Sequence, residues 1–188
     1  MGGFGNNELV KIDIAHAELI RALVMSMKPN SVLELGVGGG RSTDAIISGL
    51  EYNSMPFEFT LVDNWFDFGG QQPKEVAIKY GKIAEIVTSD EKDFVFSTRK
   101  TFDFIMSDAD HHNTDQWFNH VYDNLLNPNG ILIYHDINLF TNDFKNLRRI
   151  LQTAQTRKLR HILFNRNSLP TERCERGLLV INKWGAPA

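Results

Sequence analysis

Side chains able to do chemistry gather in two parts of this sequence. The first is Glu34-Leu35-Gly36-Val37-Gly38-Gly39-Gly40-Arg41-Ser42-Thr43, with four glycines in five positions behind an acidic residue. Glycine accepts positive φ and lets a ligand approach the main chain without a Cβ in the way. A helix starting after such a turn offers free N–H groups to a carboxylate or phosphate. The second part is Ser107-Asp108-Ala109-Asp110-His111-His112, joined later by Tyr134-His135-Asp136. Two carboxylates at adjacent strand ends suit a hard divalent cation such as Mg²⁺, with Asp108 and Asp136 as ligands, and a cation bound to a hydroxyl makes it more acidic. The third ligand falls to His135, Asn138 or water. Histidine holds a proton near neutral pH, as removing one from an attacking hydroxyl requires. The plainer alternative is that Asp108 and Asp110 only shape a pocket and cap a helix, with Asp136 binding water.

These residues need elements to position them. Apolar residues at Ile12, Ala15, Leu19, Leu23 and Met27 recur every three or four places, which predicts an amphipathic helix from Glu8 to Lys28, closed by Pro29-Asn30. Short apolar runs follow at Ser31 to Leu35, Phe57 to Val62, Ile83 to Thr88, Phe102 to Ser107, Ile131 to His135, His161 to Phe164 and Leu178 to Ile181. Runs with so little alternation fit strands buried on both faces, the habit of a parallel sheet between helices. The prediction is an α/β, Rossmann-like doubly wound sheet of seven strands with about five helices. The last two runs are separated by the turn-rich Asn165 to Gly177 with no helix, so they form an antiparallel hairpin at one edge of an otherwise parallel sheet. In such sheets ligands sit beyond the carboxyl ends of the strands. Glu34 to Gly36, Asp63, Ser89-Asp90, Asp108 to Asp110 and His135-Asp136 all stand there.

With 188 residues and no interior linker or repeat, the chain reads as a single domain over 1–188, with an amino-terminal helix in 1–30 and the Rossmann-like core in 31–188. A formal net charge of -3 and a pI near 6.1 give no field for nucleic acid or an anionic membrane, and no apolar stretch approaches a membrane span. The lone Cys174 cannot form an internal disulfide, which fits a cytoplasmic protein.

The glycine turn discriminates among nucleotide-binding motifs. A dinucleotide fingerprint needs glycine where Arg41 stands, and a P-loop needs glycine at Leu35 and lysine at Arg41. What fits is E-x-G-x-G-x-G over Glu34 to Gly40, which resembles the class I S-adenosylmethionine-dependent methyltransferases, with the order of motifs similar from about Ile12 to Lys183. The resemblance implies that Glu34, Gly36, Gly38, Gly40 and Ser42 border S-adenosylmethionine at its amino acid end. It also implies that Asp63, 23 residues after Gly40, takes the ribose hydroxyls, that Asp90 lies against the adenine, and that Asp108 borders the cofactor. Trp65, Phe66 and Phe68 would stack on the adenine, wall the pocket or fill the core.

Phe102-Asp103 through His111, then Asn127-Pro128-Asn129-Gly130 and His135-Asp136, is similar to the small-molecule O-methyltransferase branch of the catechol, caffeoyl-CoA and macrolide-sugar enzymes. Asn129 replaces a glycine of that pattern, which asparagine's tolerance of positive φ allows. The resemblance implies catalytic roles for Asp108 and for His111 as base, with Asp108 and Asp136 holding Mg²⁺; His135, on the same edge, is the other histidine that could serve as the base. Ile137 departs from it, because the catechol-type enzymes place asparagine there.

The partner implied is a small-molecule acceptor. Its selection falls to the amino-terminal helix, Asn64 to Tyr80, Asn138 to Phe144 and the loop from Arg166 to Arg176. Apolar residues near the hairpin permit a homodimer. The amino-methyltransferase signature [DN]-P-P-[YF] is absent from the fourth strand, which disfavours methylation of nucleic-acid bases. The rival reading, favoured by Ile137, is a nucleoside- or nucleotide-binding module of the same fold without chemistry.

Overall fold

The computed structural model describes residues 12–65, 73–138, 145–164 and 176–184. The element order is α1 (Ile14–Met27), β1 (Ser31–Leu35), α2 (Arg41–Asn53), β2 (Glu58–Asp63), α3 (Pro73–Tyr80), β3 (Glu85–Thr88), α4 (Glu91–Ser97), β4 (Phe102–Ser107), α5 (Phe118–His120), β5 (Leu126–His135), α6 (Lys145–Thr156), β6 (Arg160–Phe164) and β7 (Leu178–Asn182). The short α5 is flanked by a 3₁₀ turn at Thr114–Gln116 and a π turn at Val121–Leu125.

The strands form one sheet in the order β3-β2-β1-β4-β5-β7-β6. β1 lies parallel to both β2 and β4, β2 to β3 and β4 to β5, whereas β7 runs antiparallel to β5 and β6. The expected doubly wound sheet and its antiparallel hairpin are therefore present. Within the hairpin β7 inserts between β5 and β6, so the edge belongs to β6. The apolar content of β7 explains this placement, since Leu178, Leu179 and Ile181 are fully buried while Ile162 of β6 is exposed.

Successive side chains of each strand pack to opposite faces. Val32, Phe104, Met106 and Ile133 join Ile20, Val24, Ile46, Leu50, Val76 and Tyr80 of α1, α2 and α3 on one side. Leu33, Leu35, Ile105, Leu132 and Tyr134 join Phe94, Phe118, Leu147 and Ile150 of α4, α5 and α6 on the other.

The amino-terminal helix starts later than predicted, at Ile14, because Asp13 caps it: Asp13 Oδ1 accepts the His16 N–H at 2.9 Å. Its buried line is also displaced from the predicted stripe. His16, Ala17, Ile20 and Val24 are buried, and Leu19, Leu23 and Met27 only flank them. Close packing against α2 sets that rotation, since a Cβ on Gly49 would stand 2.8 Å from Val24 Cγ1.

Candidate functional site

The carboxyl ends of β1, β2 and β4 are tied together one bond beyond the sheet. Gly36 N–H donates to Val62 O at 2.8 Å and Asp108 N–H to Leu35 O at 2.8 Å. Gly36 has a φ of +85°, and a Cβ there would lie 2.6 Å from the Asp108 carbonyl oxygen. Only glycine lets the first turn pass so close to the start of the acidic loop. Gly38 and Gly40 also have positive φ, and Gly40 caps α2 without a side-chain hydrogen bond to the helix N–H groups.

The acidic residues expected around a cofactor hold this turn in place. Asp63 Oδ2 accepts Val37 N–H at 2.7 Å and Gly38 N–H at 3.2 Å, while its Oδ1 accepts Trp65 N–H at 2.7 Å. Glu34 is fully buried, and the Ser42 hydroxyl donates to its Oε1 at 2.5 Å. Burial pushes the Glu34 carboxyl up to about 8. Ser42 is thus engaged behind the turn. Asp90 is exposed at the start of α4, where Asn64 Nδ2 donates to it at 2.9 Å. Trp65 packs into the core and donates from Nε1 to Thr88 Oγ1 at 3.2 Å. Phe66, Phe68 and residues 139–144 and 165–175, Cys174 included, lie outside the described residues.

The second cluster sits where β4 and β5 end. Four side chains converge: His111 Nε2 is 3.4 Å from Asp108 Oδ1 and 3.3 Å from Asp136 Oδ2, and His135 Nδ1 is 3.3 Å from Asp108 Oδ1 and 3.2 Å from Asp136 Oδ1. Arg176 Nη1 approaches Asp136 Oδ2 at 3.6 Å. Asp110, by contrast, accepts the N–H groups of His112 and Asn113 and shapes the turn.

Charge and burial decide protonation here. Burial pulls His111 down, but Asp108 and Asp136 outweigh it and raise it to about 10. The same balance raises His135 to about 10. Burial alone would raise the two carboxyls, yet the facing imidazolium charges hold both below the usual range. His111 Nδ1 also donates to Ala109 O at 2.8 Å. In this arrangement His111 is a double donor and becomes a base only after its Nε2 proton is displaced.

Asp108 Oδ1, His135 Nδ1 and Asp136 Oδ1 are buried without a hydrogen-bond partner among the described residues, and all three lie within 4.8 Å of one another. Ligands of one ion, at bond lengths near 2.1 Å and angles of 90–109°, stand ~3.0–3.4 Å apart and off each other's lone-pair axes. The two separations from His135 match that spacing, so the residues present fit a divalent cation. Of the options left open for a third donor, His135 is the one whose ring nitrogen faces both carboxylates. Asn138 instead faces Gly177, where a Cβ would meet its Nδ2 at 2.7 Å, and Ile137 is buried in the core.

Four residues escaped the sequence reading. Glu91, buried at the head of α4, accepts from Ser107 Oγ at 2.9 Å, Thr114 Oγ1 at 3.1 Å and Asp110 N–H at 3.2 Å, and so frames the acidic loop. Arg41 Nη1 donates to Ile12 O at 2.6 Å, and Tyr80 OH donates to Asp44 Oδ1 at 2.9 Å, which fix the start of α2. His16 of α1 reaches His135, with 3.1 Å between its Nδ1 and His135 Nε2. The local signal for His16 was a polar residue on the buried side of an apolar helix, three places after an N-cap aspartate.

A family model described as a methyltransferase domain matches residues 33–137. No curated protein matches the sequence. Among solved structures, the chain is similar to an O-methyltransferase from Bacillus cereus in complex with SAH, at 17% identity over 93% of this chain and 83% of that one, with a TM-score of 0.71. It is also similar to TomG from Streptomyces achromogenes, an O-methyltransferase involved in tomaymycin synthesis and solved with SAM, at 13% identity, coverage of 94% and 82%, and a TM-score of 0.74. A third is the SAH-bound methyltransferase PaMTH1 of Podospora anserina, at 16% identity, coverage of 97% and 83%, and a TM-score of 0.69. At these identities the likeness is one of fold.

Proposed function

The chain belongs to the methyltransferase domain family, and from that premise we propose that it transfers the sulfonium methyl of S-adenosylmethionine to a hydroxyl oxygen of a small molecule, assisted by a divalent cation. The observation that carries this reading is the convergence of Asp108 Oδ1, His135 Nδ1 and Asp136 Oδ1, without hydrogen bonds among the described residues, beside the glycine turn, where Asp108 adjoins Gly36. Solved relatives of the same fold hold SAM or SAH, which supports the donor.

The turn from Gly36 to Gly40 and the first turn of α2 would hold the amino acid end of the donor, with Glu34 bracing them from behind. Asp63 has lone pairs left beyond the three N–H groups it accepts, which suit ribose hydroxyls. Asp90 and Asn64 border the adenine side. Asp108, His135 and Asp136 would hold the cation. One imidazole among the ligands favours a transition-metal ion with more affinity for nitrogen, such as Mn²⁺ or Zn²⁺, over the Mg²⁺ expected from the carboxylates alone. Bound there, the cation would acidify a coordinated hydroxyl and neutralise the carboxylates that retain the His111 proton. With those charges offset, His111 would release its Nε2 proton to solvent and would then accept the acceptor's proton, while the rest of the site places the oxygen in line with the methyl group.

The test is calorimetric titration with S-adenosylmethionine, S-adenosylhomocysteine and NAD, followed by methyl transfer to catechol and to sugar acceptors with Mn²⁺, Mg²⁺ or chelator. Binding of both sulfur nucleosides without NAD, and turnover that chelator abolishes, is the expected result. Absence of sulfur-nucleoside binding would overturn the donor, and turnover indifferent to chelator would overturn the cation.

A further inference from the structure

The amino-terminal helix lies outside the sheet and its turns, yet it sends a side chain to the centre of the site. His16 is buried on α1, and its Nδ1 meets His135 Nε2 at 3.1 Å across 119 residues of chain. The two rings stand nearly perpendicular, at 82°, with centroids 5.2 Å apart. That separation is close to what two rings reach when the facing nitrogens lie on the line between their centroids. The contact is therefore a head-on hydrogen bond. Asp13, His16 and His135 also form a group of three side chains able to ligate. A shared ion, however, would sit off that line, and the head-on approach leaves no room for it.

His135 thus has two different sides. Its Nδ1 faces Asp108 and Asp136, and its Nε2 faces α1. A histidine that ligates a cation through one nitrogen keeps its proton on the other, and the group accepting that proton sets the angle of the ring. Here the acceptor is His16 Nδ1. His16 is itself placed by Asp13, whose Oδ1 accepts its N–H at 2.9 Å and whose Oδ2 stands 2.7 Å from its Nδ1, out of line for a hydrogen bond. Three observations on α1 thus serve one ring: a helix cap, a buried imidazole and a head-on contact.

We infer that His16, held by Asp13, is a positioning residue that fixes the ring of His135 for cation binding, so that α1 is an outer part of the cation site. The inference rests on the cation reading given above. It makes the affinity for a divalent ion depend on a helix outside the sheet, and it assigns Asp13 and His16 a purpose that packing alone does not require, since an apolar residue would fill the same space without a buried polar atom.

The experiment compares the full chain with His16→Asn and His16→Leu, which have the same branched shape and differ in whether an acceptor stands near the Nδ1 position. Co²⁺ and Mn²⁺ are titrated by calorimetry, the visible absorption of bound Co²⁺ is recorded, and S-adenosylhomocysteine binding serves as the check on folding. The expected result is that His16→Leu loses about 10–100-fold in Co²⁺ affinity and alters the Co²⁺ spectrum, that His16→Asn recovers most of both, and that nucleoside binding is unchanged. Equal affinity and identical spectra in all three proteins would overturn the inference while leaving the cation site standing. Failure of the unaltered protein to bind either ion would overturn the cation reading and this inference with it.

Discussion

Replacing Glu34 with glutamine isolates the energetic consequence of burying a carboxyl behind the glycine turn. Glu34 has no exposed surface and is pushed by burial from an ordinary 4.5 up to about 8. A carboxyl raised in the folded state is a liability above its unfolded value. Below pH 4.5 both states hold the proton and the site is neutral to stability. Between 4.5 and 8 only the unfolded chain releases it, so stability falls by about 1.4 kcal/mol per pH unit, reaching about 3 kcal/mol at pH 7 and about 5 kcal/mol at and above pH 8. Glu34→Gln keeps the shape and the acceptor for Ser42 Oγ but has no proton to release. Urea unfolding of both proteins from about pH 5 to about pH 9 reads the effect, because other titrating groups cancel in the difference. The variant is expected to gain on the unaltered protein across that range by about 4 kcal/mol, whatever offset it carries at pH 5. A difference that stays constant with pH would refute the burial argument, since it would mean that Glu34 is ionised in the folded chain.

Other perturbations test the remaining parts of the site. Gly36→Ala forces a Cβ to within 2.6 Å of the Asp108 carbonyl oxygen at a φ of +85°, and is expected to cost about 2–5 kcal/mol from left-handed strain and overpacking, read by thermal or urea unfolding. Asp63→Ala releases the N–H groups of Val37, Gly38 and Trp65. It should lower stability by about 1–3 kcal/mol and weaken S-adenosylhomocysteine binding at least about tenfold by calorimetry. Asp136→Asn keeps a residue that tolerates the observed φ of +57°. Nucleoside binding should survive it while Mn²⁺ affinity and methyl transfer both fall, and intact transfer at every Mn²⁺ concentration would remove Asp136 from the cation site.

Much of the fold was legible because buried parallel strands leave a local trace. β1 and β4 have the bounds read from their apolar runs, and the hairpin of β6 and β7 follows from a linker that carries no helix pattern. Asn129 takes a positive φ of 66° where a glycine was expected, as its side chain permits. β5 is longer than its apolar run, starting at Leu126, because Gly130 lets the strand hug β4: a Cβ there would stand 2.9 Å from Asp103 O. The rotation of α1 was not legible. Two neighbouring apolar stripes compete along that helix, and contact with α2 chooses between them.

The amino-acid sequence by itself determined which chemistry stands at the strand ends. A glycine turn behind Glu34, acids after β2 and β4, and the pair His135-Asp136 after β5 are consequences of strand length and residue order, and a parallel sheet places all of them on one edge. Only the tertiary structure decided what each of them faces. Asp63 and Glu34 hold the turn, Glu91 frames the acidic loop, and His135 meets a histidine 119 residues away. Protonation follows from those neighbours. The same histidine titrates near neutrality in water and holds its proton to about pH 10 when buried beside two carboxylates. Burial and the charges set beside a group are properties of packing, and no spacing along the chain encodes them.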